Sequence, residues 1–338
     1  MKYIVCETPG HFDLDDKPSP SPKADEALLK ILRVGICGTD IHAFAGNQAF
    51  FQYPRILGHE LAAEIVEIGP NEKNLKPGDL VSIMPYLSCG KCIACRNSKP
   101  NCCTNIQVLG VHTDGGMQEF ISLPIDILLP ASGLSADEIA LIEPLAIGAH
   151  AIRRAQLQAG ETIAVMGCGP IGMGILKMAQ IEGANVIAMD VNQQRLDYAA
   201  QAFGIEHLVN VLEEPVRKME EITDGDLATA VFDATGNAKA LMSGPDYMSH
   251  GGRFVLVGLS KGELCYSHPA IHAKESSILC SRYATIEDFE YVIDMLKGGK
   301  FPTDSYITHR VRYEEMIDRF PSFSDPKEQV MKAIIDWE

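Results

Sequence analysis

Gly167-Cys168-Gly169-Pro170-Ile171-Gly172 restricts the possible folds of this chain more than any other feature, because of what flanks it. Thr162–Met166 ahead of it is a short apolar run bounded by Gly160. Behind it, Pro170 to Glu182 places Ile171, Ile175, Met178 and Ala179 on one helical face, with Pro170 suited to a first turn. A G-x-G-x-x-G triplet alone arises by chance, but between a strand and a helix it predicts a dinucleotide-binding turn. The first glycine permits the turn, the second admits the pyrophosphate, and the third lets helix and strand pack closely. Asn185–Asp190 reads as the next strand and sets Asp190 18 positions beyond Gly172. That is near the interval of about 20 at which a carboxylate takes the adenosine ribose hydroxyls. A carboxylate there repels a 2′-phosphate, so the expected cofactor is NAD rather than NADP.

The alternation continues through a helix at Gln193–Phe203, ended by Gly204, and strands at Ala230–Thr235, Arg253–Leu259 and Ser277–Ser281. Such alternation predicts a parallel sheet covered on both faces. Before residue 145 the texture differs, with turns, Gly, Pro and short apolar strands such as Leu28–Val34 and Leu61–Ile68. After residue 285, amphipathic stretches at Ile286–Lys297 and Tyr313–Phe320 lead to a closing strand at Gln329–Asp336. The expected class is α/β, with domains at 1–145 and 146–283 and a segment 284–338 that returns to the first. The length of 338 residues suits two domains.

A formal net charge of −16, without a block of like charge, argues against nucleic acid or an anionic membrane as partner. The start, Met1-Lys2-Tyr3-Ile4-Val5-Cys6-Glu7, lacks the apolar core of a signal peptide, and the expected location is cytoplasmic.

In that compartment cysteines favour metals over disulfides. Of ten cysteines, four stand at Cys89-x2-Cys92-x2-Cys95-x7-Cys103. Four thiolates make a closed tetrahedral shell, which fits a structural zinc in a lobe over residues 86–106. Cys102 competes with Cys103 for the fourth place, and an iron–sulfur cluster is the alternative occupant. A second group is dispersed: Cys37, Thr39, Asp40 and His42, then His59 and Glu60, then Glu143. Cys, His and carboxylate form a mixed shell, typical of a zinc with an open coordination position. Taken singly, each of these residues reads more readily as structural; the combination ahead of a dinucleotide fold predicts a catalytic zinc.

These residues resemble the medium-chain zinc-dependent alcohol dehydrogenase family over essentially the whole chain. The resemblance is carried by Gly35–His42, Gly58–Glu60, the tetracysteine lobe, Gly110–Phe120, Ile142–Ala151, the glycine fingerprint and Val231–Asn237. It implies a distorted GroES-like β-barrel completed by the carboxyl-terminal segment, and a Rossmann domain between. It also implies two zinc ions per chain, with Cys37 and His59 as ligands of the catalytic one. Glu143 replaces the second cysteine of the liver-type enzymes. In this the chain is similar to sorbitol and threonine dehydrogenases, which carry glutamates at the positions of Glu60 and Glu143. Either glutamate, or both in exchange, completes the shell. The resemblance further gives Thr39 and His42 a proton relay and Arg195 a contact with the adenosine ribose. Gly258 and Leu259 would line the nicotinamide, and Asp40 would orient a neighbouring ligand.

For the substrate, Gly46–Glu60, Val257–Leu264 and Ser281–Thr285 look most like galactonate-type oxidoreductases. The expected activity is oxidation of a secondary hydroxyl on a polyol or sugar acid. Arg282 is a candidate substrate or cofactor contact, and Phe50 and Phe51 are candidate pocket walls. A threonine-type dehydrogenase of 3-hydroxy amino acids is the rival within the fold. A non-catalytic nucleotide-binding protein is the rival outside it, disfavoured because Cys37, Thr39, His42, His59, Glu60 and Glu143 are all present. Relatives pair through an edge strand, so a homodimer or homotetramer formed through Ser276–Ser281 is expected.

Overall fold

The computed structural model describes residues 1–48 and 51–338. They divide into two compact units. One comprises Leu145–Ala284 with Lys300–Ser305; the other comprises Met1–Pro144 with Thr285–Gly299 and Tyr306–Glu338. The excursion at Lys300–Ser305 departs from the expectation that all of 284–338 returns to the first unit. Phe301 packs edge-on against Phe203, with ring centroids 6.2 Å apart, and the Tyr198 hydroxyl donates to the Ser305 carbonyl. Both partners lie on or at the end of the helix Gln193–Phe203, which holds the segment there.

In the unit carrying the fingerprint, six parallel strands lie in the order His207–Asn210, Asn185–Asp190, Thr162–Met166, Ala228–Asp233, Met248–Leu256, Ser277–Cys280. Counted along the chain this is 3-2-1-4-5-6, the doubly wound order of dinucleotide-binding sheets. Helix Pro170–Ile181 starts directly after the first strand, capped by Gly169 with Pro170 in its first turn. Helix Gln193–Phe203 stops at Gly204, whose φ of +68° no continuing helix adopts. Three strands end earlier than the sequence pattern predicts, Ser277–Cys280 by a single residue and two others by more. The Asp233 carboxylate accepts from the backbone N–H groups of Thr235 and Gly236 and from the Thr235 hydroxyl, so the chain turns at Asp233. Met248–Leu256 ends before Gly258 and Leu259 because the Val257 and Gly258 N–H groups both donate to the Asp233 carbonyl.

The other unit is organised around one long strand, Glu26–Ile36. It pairs antiparallel with Glu60–Ile68, Phe120–Pro124 and the closing strand Lys332–Asp336. Leu80–Ile83 and Leu128–Pro130 extend the sheet on one side, and Ile307–Arg312 runs parallel to the closing strand on the other. The closing strand is integral: Ala333, Ile334 and Ile335 are buried, and each isoleucine contributes roughly 1.5–3 kcal/mol of apolar burial. Among the described residues, no helix is long and apolar enough to cross a membrane.

Candidate metal centre and nucleotide site

The dispersed acids and thiols are assembled by strand pairing and one short helix. Cys37 follows the Glu26–Ile36 strand directly and caps the helix Gly38–Phe44. From the third position of that helix, buried Asp40 accepts from the Cys37 N–H at 2.9 Å and from the Gly58 N–H at 3.2 Å. One carboxylate thereby ties the Cys37 turn to the loop that presents His59. That loop is fixed from behind by Gly110–Phe120: the Gly115, Gly116 and Met117 N–H groups donate to the carbonyls of Ile56, Gly58 and Leu57. Asp114 adds an acceptor for Arg55 and the Ile56 N–H. The motif GVHTDGGMQEF therefore acts as a brace for the histidine.

Ligand atoms of Cys37, His59 and Glu60 all lie within 4.8 Å of one another. His59 Nδ1 is buried without a hydrogen-bond partner, 3.8 Å from Asp40 Oδ1. Burial alone would lower the His59 pKa, but the negative surroundings of Asp40, Cys37 and Glu143 raise it well above its ordinary value. A concentrated negative field around a buried imidazole, with a thiol and a carboxylate gathered beside it, is what a divalent cation would relieve, so the donor set fits zinc. Glu143 is buried in the first turn of the helix Ile142–Ala155 but does not join this close group. Its carboxylate accepts from the Tyr86 hydroxyl. Burial, reinforced by Glu60, pushes Glu143 up to about 7 against the opposing pull of His59 and Tyr86.

Thr39 is half-buried and His42 exposed. They stand three residues apart on one helix, hence on one side of it. Cys89, Cys92, Cys95 and Cys103 form the second ligand group, again mutually within 4.8 Å. Cys103 is buried while Cys102 is exposed and outside the group, which decides between the two. Backbone N–H groups of Cys95 and Thr104 push the Cys92 thiol down to about 5, the direction that favours a thiolate ligand.

In the sheet unit, Gly167 turns with φ +97° and the Asp190 carboxylate accepts from the Cys168 N–H at 2.7 Å and the Asn192 N–H at 2.8 Å. A cavity of about 500 Å³ opens beside Gly167 and Asp190, with Val191, Thr235, Asn237 and Lys239 among its walls. Arg195 lies over the fingerprint, its Nη1 3.2 Å from where a Cβ on Gly169 would stand. A turn of bare backbone and a carboxylate at a cavity, with a helix amino terminus and a guanidinium next to that turn, fit the phosphates and ribose of a dinucleotide. Leu259 is 92% exposed. Arg282 lies over its neighbour's ring, 4.6 Å from the Tyr283 centroid. Phe51 packs against the barrel core and against Tyr53, which makes it a packing residue; Phe50 lies outside the described residues.

Three buried residues at the metal group escaped the sequence pattern: Tyr86, Lys332 and Tyr306. Lys332 Nζ donates to both oxygens of Glu60 at 2.7 Å. Tyr306 is fully buried; burial, then the charges of Glu60, Cys37 and Glu143, hold its pKa well above the ordinary value. The one available signal was Lys332 itself, a cation opening the otherwise apolar run Ala333-Ile334-Ile335.

A mixed metal shell, a closed thiolate lobe and a nucleotide sheet together define a zinc-type, nucleotide-linked dehydrogenase. Comparison with known proteins agrees: residues 23–133 match the alcohol dehydrogenase GroES-like domain and residues 170–298 the zinc-binding dehydrogenase domain. The chain is 41% identical to L-galactonate-5-dehydrogenase of Escherichia coli (strain K12), covering 99% of this chain and 98% of that protein. It is 32% identical to sorbitol dehydrogenase of Bacillus subtilis (strain 168), covering 99% and 97%. Among solved structures, one described as a short chain alcohol dehydrogenase (rspB) from E. coli CFT073, complexed with NADH, matches with a TM-score of 0.92. That match has 30% identity and covers 100% of this chain and 99% of the other. The chain belongs to the medium-chain zinc-dependent alcohol dehydrogenase family, with a GroES-like and a Rossmann domain. Its cofactors are zinc and NAD.

Proposed function

We propose that this enzyme oxidises a secondary hydroxyl of a polyol or sugar acid, with a galactonate-like aldonate as the favoured substrate. The observation that carries the reading is the convergence of Cys37, His59 and Glu60 within 4.8 Å, with Glu143 buried nearby. The full-length likeness to an L-galactonate dehydrogenase and to a sorbitol dehydrogenase supports the substrate class. Cys37 and His59 would hold a catalytic zinc with Glu60 or Glu143, and Cys89, Cys92, Cys95 and Cys103 a structural one.

Bound zinc would supply a Lewis acid that lowers the pKa of an alcohol, and bound NAD would supply a hydride acceptor. The chain's own residues then handle the proton. The Thr39 hydroxyl would accept it from the substrate oxygen while giving up its own, and the exposed His42 imidazole, beyond the nicotinamide ribose, would release a proton to water. Asp40 orients His59 and keeps Cys37 and His59 in reach of one another. Gly167, Gly169, Pro170, Ile171 and Gly172 cradle the pyrophosphate. Asp190 and Arg195 hold the adenosine ribose, and Gly258 and Leu259 border the nicotinamide.

Two experiments test this reading. NADH formation at 340 nm across hexonates, hexitols and threonine should be fastest with an aldonate or polyol and should disappear after chelation. A clear preference for threonine would transfer the chain to the amino-acid reading. Separately, Asp190→Ser should lower the ratio of kcat/KM for NAD over NADP by about tenfold or more, since the repelling charge is gone. An unchanged ratio would remove Asp190 from cofactor selection.

We further propose a cytoplasmic homo-oligomer. Ser277–Cys280 is the last strand of its sheet, with no further strand beyond it among the described residues and Ile278 37% exposed. Ile278→Lys should lower the mass measured by light scattering; an unchanged mass would move the interface elsewhere.

A further inference from the structure

Glu60 enters the metal group already held by a fixed charge. Lys332 Nζ donates to both of its carboxylate oxygens at 2.7 Å and to the Ile36 carbonyl at 3.2 Å, and both side chains are almost wholly buried. Backbone register makes the pair. Glu60 lies opposite Gly35 across one strand pairing, and Ala333, next to Lys332, lies opposite Ile36 across the other. The Glu60 carboxylate fills the space that a Cβ on Gly35 would take, so the strand leaves it room only at glycine. Glu143 is held differently, by the neutral Tyr86 hydroxyl. A cation competes with a metal ion for a carboxylate, whereas a phenol leaves lone pairs free.

We propose that Lys332 is a positioning residue that holds Glu60 back from the catalytic ion, making it an exchangeable ligand rather than a permanent one. The inference rests on the metal assignment above and concerns what governs it. With the ammonium removed, Glu60 becomes a buried carboxylate whose strongest remaining partner is the ion, because an unpaired buried charge is costly. Its carboxylate then binds the metal tightly and fills the position that substrate needs. A merely structural lysine predicts the opposite sign, since its loss would loosen the site and free the metal sooner.

The test is the rate at which zinc leaves the purified holoenzyme to a colorimetric chelator. The catalytic equivalent is identified as the one missing from Cys37→Ser. Lys332→Met should slow its release by about tenfold or more, the range over which groups holding metal ligands act. Lys332→Arg should return the rate to near that of the natural protein. Adding Glu60→Gln to Lys332→Met should abolish the slowing. Release from Lys332→Met that is unchanged or faster overturns the proposal, as does slowing that persists without the Glu60 charge. Should Lys332→Met not fold, Lys332→Gln carries the same expectation; failure of both makes Lys332 a structural residue and ends the proposal. If Cys37→Ser keeps both zinc equivalents, the metal assignment itself fails. If it loses one and the Lys332 variants do not slow release, only this inference fails.

Discussion

Cys37→Ser is expected to lower kcat by about a thousandfold or more while NADH still binds. A Lewis acid contributes several kcal/mol toward a developing alkoxide, and each 1.4 kcal/mol is about tenfold in rate. The substitution is chosen to spare the scaffold. The bond from the Cys37 N–H to Asp40 uses backbone and survives, so the turn and the helix Gly38–Phe44 keep their start. What disappears is the soft thiolate, leaving a hydroxyl that ligates zinc poorly. Metal analysis should show one zinc per chain instead of two, the remaining one belonging to the tetracysteine group, whose ligands are remote in sequence. NADH fluorescence titration should give a Kd within a few-fold of the original, since the fingerprint and Asp190 are untouched. Full turnover in this variant would refute the catalytic metal assignment.

The two candidate metal-ligand groups differ in how readily the sequence discloses them, and chain separation is the reason. Cys89 to Cys103 close a loop short enough for local spacing to state the geometry. The dispersed group draws on residues 37, 59 and 60, which meet only after Glu26–Ile36 has paired with Glu60–Ile68. Spacing could nominate Cys37, His59, Glu60 and Glu143 as chemistry-bearing types. It could not say that Glu60 joins the close group while Glu143 bonds to Tyr86. Lys332 lay further out of reach, since its contact with Glu60 spans 272 positions and depends on the closing strand. The glycine fingerprint was legible for the opposite reason: strand, turn and helix are contiguous, so each residue's role follows from its neighbours. Even there, local pattern overran the strand ends. Ala230–Thr235 looked like one extended run, but the Asp233 side chain satisfies the N–H groups that a longer strand would have needed. The helix Ile142–Ala155 is hidden in the sequence because Pro144 interrupts the pattern; Pro144 sits in the first turn, where a missing N–H costs nothing.

Gly172→Val is expected to abolish useful NAD binding, with Kd for NADH raised by about a hundredfold or more. A Cβ on Gly172 would collide with the Gly167 carbonyl oxygen, the backbone atom at the heart of the turn. No rotamer relieves that overlap, because it involves the first side-chain carbon against main chain. The helix Pro170–Ile181 would have to move away from the turn, withdrawing the N–H groups that meet the pyrophosphate. A loss of about 2.7 kcal/mol corresponds to the stated hundredfold, which is modest for misplacing a helix terminus against a doubly charged group. The metal-bearing unit has its own core and its own strands, so zinc content should stay at two per chain. This variant and Cys37→Ser therefore form a reciprocal pair, one losing nucleotide and keeping metal, the other losing metal and keeping nucleotide. Turnover should fall steeply in both, because each variant impairs one of the two partners that hydride transfer requires. If Gly172→Val bound NADH with unchanged affinity, the glycine turn would be an ordinary bend, and the dinucleotide would have to bind elsewhere.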